Sequence, residues 1–226
     1  NINITLKNRQ IIIYPKTDIK TIRIIRELSI IPDPIISGTF IIMLVLHKKN
    51  DILISNLILK NLGEVYNLFT KIGIKFIKKE NNQYYIENNL LKKFDIETSA
   101  FPGIYTDLMP FLVVLASTIG NCSIQENIMN NRFKFTDEIK KLNFKYDIYN
   151  NKICVHKNLF KKVKNKIELC CTDLRGGMAI LIYITLFLKE FPNNQIILNK
   201  YNYICRGYFN VKKIFMSFGI YIIDYN

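Results

Sequence analysis

The chain lacks a metal-binding pattern. Its five cysteines fall at positions 122, 154, 170, 171 and 205, and its two histidines, His47 and His156, stand apart from them. None of the spacings that build a zinc site is present, so no metal is expected. Long apolar runs are also missing. Phe40 to Leu46, Phe111 to Ile119 and Met178 to Leu188 all fall short of the roughly 18 residues that mark a membrane-spanning helix; they are expected as core helices, with no membrane association. No secretory signal opens the chain, and with unpatterned cysteines this gives the expectation of a reducing cytoplasm. Acidic residues are scarce, 18 against 32 Lys and Arg, for a net charge of +14. The lysines are scattered through Lys48-Lys49, Lys78-Lys79, Lys140-Lys141 and Lys161-Lys162, without an RNA-binding or helix-turn-helix signature. The charge is therefore read as compositional bias with no nucleic-acid partner, although a basic surface attracts a multiply anionic small substrate. Initiator Met is absent, Asn being first, which leads to the expectation that the sequence begins inside a longer protein.

What is present is a folded composition, 49% hydrophobic and 22% charged over 226 residues. That length suits one substantial domain with a piece of another. The segment Thr172-Asp173-Leu174-Arg175-Gly176-Gly177 opens an apolar run. It has weaker echoes, Ile36-Ser37-Gly38-Thr39 and Tyr105-Thr106-Asp107-Leu108, upstream at intervals of about seventy residues. After each comes an apolar helix, a short strand, a polar helix and a ribbon. The first unit reads as helix 37–47, strand 52–55, helix 63–72 and a ribbon of 75–78 with 84–86. The second reads as helix 107–119, strand 122–125, helix 133–142 and a ribbon of 145–148 with 153–155. The third reads as helix 174–188, strand 195–198, helix 208–218 and strand 220–223, with no second ribbon strand. Ser37 or Thr39 is a candidate cap for the first helix. Gly73, Asn143 and Gly219 follow the three second helices, where a left-handed residue ends a helix. Helices apolar on all sides must be enclosed. The expected fold is therefore α/β, a pseudo-threefold repeat of βαβαββ-like units with buried central helices and sheets outside, an inside-out α/β barrel. Ahead of it, 10–14 reads as a strand and 16–24 as a linker or short polar element.

The candidates for chemistry are Asp33, Asp107, Arg132, Asp173, Arg175 and Arg206. Asp107 and Asp173 stand where equivalent helices begin, and a cap or dipole partner is the plain alternative for each. Arg132 and Arg206 stand at the expected starts of the second helices, where positive charge is unfavourable. An external anion would explain them, because a guanidinium forks onto carboxylate or phosphate; surface ion pairs are the alternative.

Five elements, Pro32-Asp33-Pro34-Ile35-Ile36-Ser37-Gly38-Thr39-Phe40, Pro102-Gly103-Ile104-Tyr105-Thr106-Asp107, Asn131-Arg132-Phe133, Thr172-Asp173-Leu174-Arg175 and Arg206-Gly207-Tyr208, together resemble the carboxy-terminal half of the UDP-N-acetylglucosamine enolpyruvyl transferases (1-carboxyvinyltransferases), within the enolpyruvyl transferase superfamily. The match runs in order over nearly the whole chain. It implies that residues 1–30 are the tail of a catalytic first domain and 31–226 the second domain, with units at about 31–90, 91–158 and 159–226. The implied reaction transfers the enolpyruvyl group of phosphoenolpyruvate to the 3-hydroxyl of UDP-N-acetylglucosamine, releasing phosphate, as the committed step of peptidoglycan and cell-wall synthesis. No cofactor is implied. Asp107 would contact the attacking hydroxyl as general base, and Ile128 would give a backbone contact to the nucleotide sugar. Arg132, Arg175 and Arg206 would line the enolpyruvate side, and Asp173 would help proton traffic.

Four positions depart from the family pattern: Asn130 for Glu, Pro34 for Arg, Tyr105 for Pro and Cys205 for Asp. The family's reactive cysteine loop, Lys-Asn pair and first-domain arginines have no counterpart here. The implied partner is the amino-terminal half of the same enzyme, and the chain alone is expected to be inactive. The shikimate-pathway enolpyruvyl transferase is the alternative within the class. Outside it stands a degenerate, non-catalytic remnant or basic binding module.

Overall fold

A computed structural model describes residues 3–7, 10–14, 30–88 and 90–223. The chain divides into two compact units, Asn1–Ile31 and Pro32–Asn226. In the first, β1 (Asn3–Lys7) and β2 (Gln10–Tyr14) pair antiparallel. β2 coincides with the expected strand, whereas the linker expected at 16–24 lies outside the described residues.

The second unit is built on three apolar helices, α1 (Pro34–His47), α3 (Met109–Ile119) and α5 (Leu174–Glu190), each of which contacts the other two. Consecutive residues vanish from solvent on every face: Ile41, Ile42 and Met43 in α1, Phe111 to Ala116 in α3, and Met178, Ala179 and Ile180 in α5 are all 0% exposed. A surface helix would keep a polar stripe, so these sequences are stable only when enclosed. Each fully buried Leu, Ile or Phe contributes about 1.5–3 kcal/mol, and the three helices carry many of them. The second helices are amphipathic. In α2 (Glu64–Lys71), Val65, Leu68 and Phe69 are buried, and in α4 (Phe135–Lys140) Phe135, Thr136 and Ile139 are.

Three sheets flank the helices. The first orders as β3 (Leu53–Ile54), β5 (Tyr84–Asn88) and β4 (Ile74–Lys78), all antiparallel. The second orders as β6 (Asp95–Glu97), β7 (Cys122–Gln125), β9 (Lys152–Val155) and β8 (Tyr146–Tyr149), with β6 parallel to β7. Among the described residues, the third holds only β10 (Lys166–Cys170) parallel to β11 (Gln195–Asn199). A groove of about 1220 Å³ runs beside β11, lined by Ile196, Leu198, Leu181, Ile184, Ile220 and Ile222 among others.

Four expectations need correction. α1 starts at Pro34 rather than Ser37, because Asp33 is the cap: its Oδ1 accepts the Ile35 N–H at 2.7 Å and the Ile36 N–H at 3.3 Å. Proline at the first position fits, its missing N–H being one a helix start leaves unpaired anyway. Ser37 and Thr39 instead donate their hydroxyls to carbonyls one turn back, those of Asp33 and Ile35. The helix expected at 208–218 is shortened to α7 (Val211–Ser217), because Asn210 ahead of it takes a left-handed φ of 51°; a separate short helix, α6 (Asn202–Cys205), precedes the expected span. Residues 220–223 are not assigned as a strand. Gly73, Asn143 and Gly219 do adopt positive φ, 104°, 64° and 78°.

Candidate active site

Asp107 sits in the turn two residues ahead of α3, yet it does not cap that helix; Leu108 holds the cap position and no side chain bonds there. The Asp107 carboxylate is directed elsewhere. Its Oδ1 lies 3.1 Å from Arg132 Nη2 and its Oδ2 lies 3.3 Å from Arg175 Nε. Arg132 Nη1 reaches on to Asp173 Oδ1 at 3.6 Å. Four of the residues singled out in the sequence thus form one alternating chain, Arg175, Asp107, Arg132 and Asp173, drawn from segments up to 68 positions apart.

Asp173 is an ordinary helix cap as well. Its Oδ1 accepts the N–H groups of Arg175 and Gly176, both at 3.0 Å, and Thr172 donates its hydroxyl to Oδ2 at 3.1 Å. A Cβ at position 176 would meet Thr172 Oγ1 at 2.5 Å and Asp173 Oδ2 at 2.9 Å. Glycine is what leaves this corner room for its carboxylate.

Exposure is divided unevenly along the chain of charges. The Arg132 and Arg175 side chains are 8% and 12% exposed, whereas Asp107 and Asp173 are 39% and 44% exposed. The guanidinium groups are the covered partners and the carboxylates the open ones. Buried cations persist only when paired, and here each is paired incompletely: Arg132 Nε and Arg175 Nη1 are buried without a hydrogen-bond partner. Below Arg175, the Tyr208 ring centroid is 5.3 Å from Cζ. The Tyr208 hydroxyl is 3.0 Å from Thr39 Oγ1 in α1. Burial disfavours the Arg175 cation, but Tyr208 and Asp107 outweigh it and the net shift of its pKa is upward. Burial pushes the Tyr208 phenol up.

Arg132 and Arg206 do not occupy the equivalent helix starts expected of them. Arg132 lies in a turn three residues ahead of α4, entered through left-handed Asn131 with φ 58°. Arg206 follows the carboxyl end of α6, is exposed, and makes no ion pair among the described residues. Its turn is nonetheless tied to the site, since a Cβ on Gly207 would come within 2.8 Å of Leu174 at the start of α5. Ile128 is 50% exposed, and its N–H already donates to Glu126 Oε1 at 2.8 Å. Only its carbonyl remains to meet a ligand. Asp33 is spent on α1.

Three residues of the site escaped the sequence. Thr39 was expected as a cap and Tyr208 was noticed only as part of a motif. Glu126 was passed over, although a carboxylate directly after the apolar strand β7 is a detectable signal. Among the described residues, no group of three or more His, Cys, Asp or Glu is placed to hold a metal ion. No helix among them is long and apolar enough to cross a membrane.

This scaffold is that of an enolpyruvyl transferase. The solved enolpyruvyl transferase NikO from Streptomyces tendae matches it with a TM-score of 0.74 at 20% identity, over 85% of this chain and 44% of that one. The family model for EPSP synthase (3-phosphoshikimate 1-carboxyvinyltransferase) matches residues 1–213, and the chain belongs to that family. Relatives named UDP-N-acetylglucosamine 1-carboxyvinyltransferase include a protein of Desulfofundulus thermocisternus, 27% identical over 84% of this chain and 75% of its own length. One from Halothermothrix orenii is 29% identical over 85% of this chain and 44% of its own length. Another, from Listeria monocytogenes and named UDP-N-acetylglucosamine 1-carboxyvinyltransferase 2, is 32% identical over 68% of this chain and 36% of its own length. The chain therefore spans three quarters of the first relative and less than half of the other two.

Proposed function

We propose that this chain carries the carboxy-terminal half of the site of a UDP-N-acetylglucosamine enolpyruvyl transferase. On this proposal residues 1–30 end a catalytic first domain, 31–226 form the second with pseudo-threefold symmetry, and the other half supplies the reactive cysteine. The names of the relatives support the substrates. The observation that carries the chemistry is Asp107, partly open to solvent, uncommitted to its helix, and held at both oxygens by separate arginines.

Each carboxylate oxygen has more than one lone pair, so Asp107 can still accept from a sugar hydroxyl while its ion pairs stay intact. It takes the proton of the 3-hydroxyl as that oxygen bonds to C2 of phosphoenolpyruvate, and a proton is added at C3. Asp173, 3.6 Å from the shared Arg132, is placed to assist proton movement at the reacting carbons. Loss of a proton from C3 then restores the double bond as phosphate leaves C2. Phosphoenolpyruvate is multiply anionic, and the guanidinium groups of Arg132 and Arg175, with exposed Arg206, supply positive charge for it.

The test joins the chain to the amino-terminal half. Phosphate release from phosphoenolpyruvate should require UDP-N-acetylglucosamine, and Asp107→Ala should slow it by about 10²–10⁴-fold, the range of a lost general base. Normal turnover by that variant would reject the assignment. Release with the shikimate-pathway acceptor instead would move the chain to that branch of the family, and no binding of either acceptor would mark a remnant.

A further inference from the structure

Glu126 is 1% exposed, the only acidic side chain among the buried residues described. It makes no ion pair among the described residues; its bonds are to neutral donors. Oε2 accepts the Thr106 hydroxyl at 3.0 Å, and Oε1 accepts the N–H groups of Ile128 and Met129 at 2.8 and 2.9 Å. The Glu126 N–H in turn donates to the Asn151 carbonyl at 2.7 Å, at the turn joining β8 and β9. A second strut runs beside it: Asn127 N–H donates to Thr98 Oγ1 at 2.9 Å.

A buried carboxylate without a cation is costly unless its acceptors are filled. Fully hydrogen-bonded, it makes a rigid knot, because charge-assisted bonds are shorter and stronger than neutral ones. The position of this knot gives it consequence. Thr106 is the residue before Asp107, and Ile128 and Met129 lead through an exposed turn into Arg132. The carboxylate therefore clamps together the two loops whose side chains form the 3.1 Å pair of Asp107 with Arg132. Nothing else described joins Thr106 to 127–131 by side chain.

We propose that Glu126 is the positioning residue of the Asp107–Arg132 couple, fixing the separation of the base from its arginine without touching substrate itself. The catalytic part of this inference rests on the function proposed above; the structural part does not. Glutamine should rescue, since its oxygen can accept both N–H groups while its amide donates to Thr106. Alanine should not.

The experiment follows the side-chain N–H resonances of Arg132 by NMR in the 226-residue chain, and separately the kcat and KM for phosphate release after union with the amino-terminal half. Wild type and Glu126→Gln should show persistent, slowly exchanging Arg132 signals. Glu126→Ala should lose them, with kcat falling about 10–100-fold, as for supporting residues elsewhere, and KM changing much less. Thr106→Val removes one bond and keeps the test open should Glu126→Ala fail to fold; it should weaken the same signals and lower kcat several-fold. Arg132 signals unchanged in Thr106→Val and in a folded Glu126→Ala would overturn the inference whatever the activity. A wild type that releases no phosphate counts against the function alone.

Discussion

The Arg175 guanidinium lies over the Tyr208 ring at 5.3 Å, and the Tyr208 hydroxyl approaches Thr39 Oγ1 at 3.0 Å. Tyr208 thus couples the amino end of α5 to α1 from beneath the ion-pair chain. It is 2% exposed, so its hydroxyl has no ready exchange of partners with water.

Tyr208→Phe is expected to keep the ring under Arg175 and remove only the hydroxyl, costing about 1–2 kcal/mol in urea denaturation. Tyr208→Ala removes the ring as well and should cost about 3–5 kcal/mol, as for other large aromatic truncations. In the joined enzyme the phenylalanine variant should raise the KM for phosphoenolpyruvate more than it lowers kcat, because the ring under Arg175 loses its tie to Thr39 while Asp107 keeps its pair with Arg132. Equal stability of all three proteins would show that this contact does not hold the site.

The cysteines give an independent check on which half holds the nucleophile. Cys171 is 1% exposed, and burial, with lesser effects from Cys170, Asp173, Cys205 and Glu138, pushes its thiol up to about 12. Burial also raises Cys122. Cys205 is exposed. Since the thiolate is the reacting form, iodoacetamide at pH 8 should label Cys205 rapidly and Cys171 hardly at all, by mass spectrometry of peptides. Cys205→Ser should remove the fast phase and leave turnover of the joined enzyme within about twofold, as no catalytic step in the proposed scheme uses this thiol. A large loss of turnover would place a reactive thiol in this half.

The core was legible because its signal is crude. Ile41 to Leu46 and Phe111 to Ala116 are apolar at every position, and a helix of that kind has nowhere to go but inside. β7 and the hairpins turned at Asn82 and Asn150, with φ of 58° and 54°, were equally plain from alternation and turn residues. The parallel strands β6 and β10 were missed, because their partners lie 28 to 29 residues away and their sequences, Asp95-Ile96-Glu97 and Lys166-Ile167-Glu168, carry charge. At the site, residue types and segments were readable but the partition of roles was not. A cap is the plain sequence alternative for Asp107 and Asp173 alike; geometry separates them, Asp173 capping α5 while Asp107 leaves its own helix uncapped and bridges two arginines. The resemblance also makes both arginines anion receptors, whereas in the fold they first pair with these two carboxylates, each keeping one buried nitrogen without a hydrogen-bond partner. Glu126 could not be weighed, since its partners at 106, 128 and 129 have meaning only once two loops are folded together.

His47 closes α1 at the end opposite the ion-pair chain and is 4% exposed. Thr185 donates its hydroxyl to the Ile182 carbonyl and so accepts from His47 Nε2 at 2.9 Å, which assigns the ring proton to Nε2. Nδ1 is buried with no partner. A second proton would go there, facing no acceptor, with Phe218 edge-on to the ring and Lys49 and Lys189 near enough to oppose the charge. Burial first, then Lys189 and Lys49, lower its pKa from 6.5 to about 4. The folded value lies below the unfolded one, so between them the unfolded chain binds more protons and stability rises with pH. His47 thus leaves stability whole above pH 6.5 and removes it as pH falls toward 4, by about 2 kcal/mol at pH 5 and about 3 kcal/mol at the end of that window. Glutamine can still donate to Thr185 but cannot gain a proton. Urea denaturation at pH 7 and pH 5 should therefore show a smaller loss in His47→Gln than in wild type, by about 2 kcal/mol, carboxylate titrations being common to both. Parallel losses in the two proteins would mean that His47 accepts its second proton in the folded chain as readily as in the unfolded one.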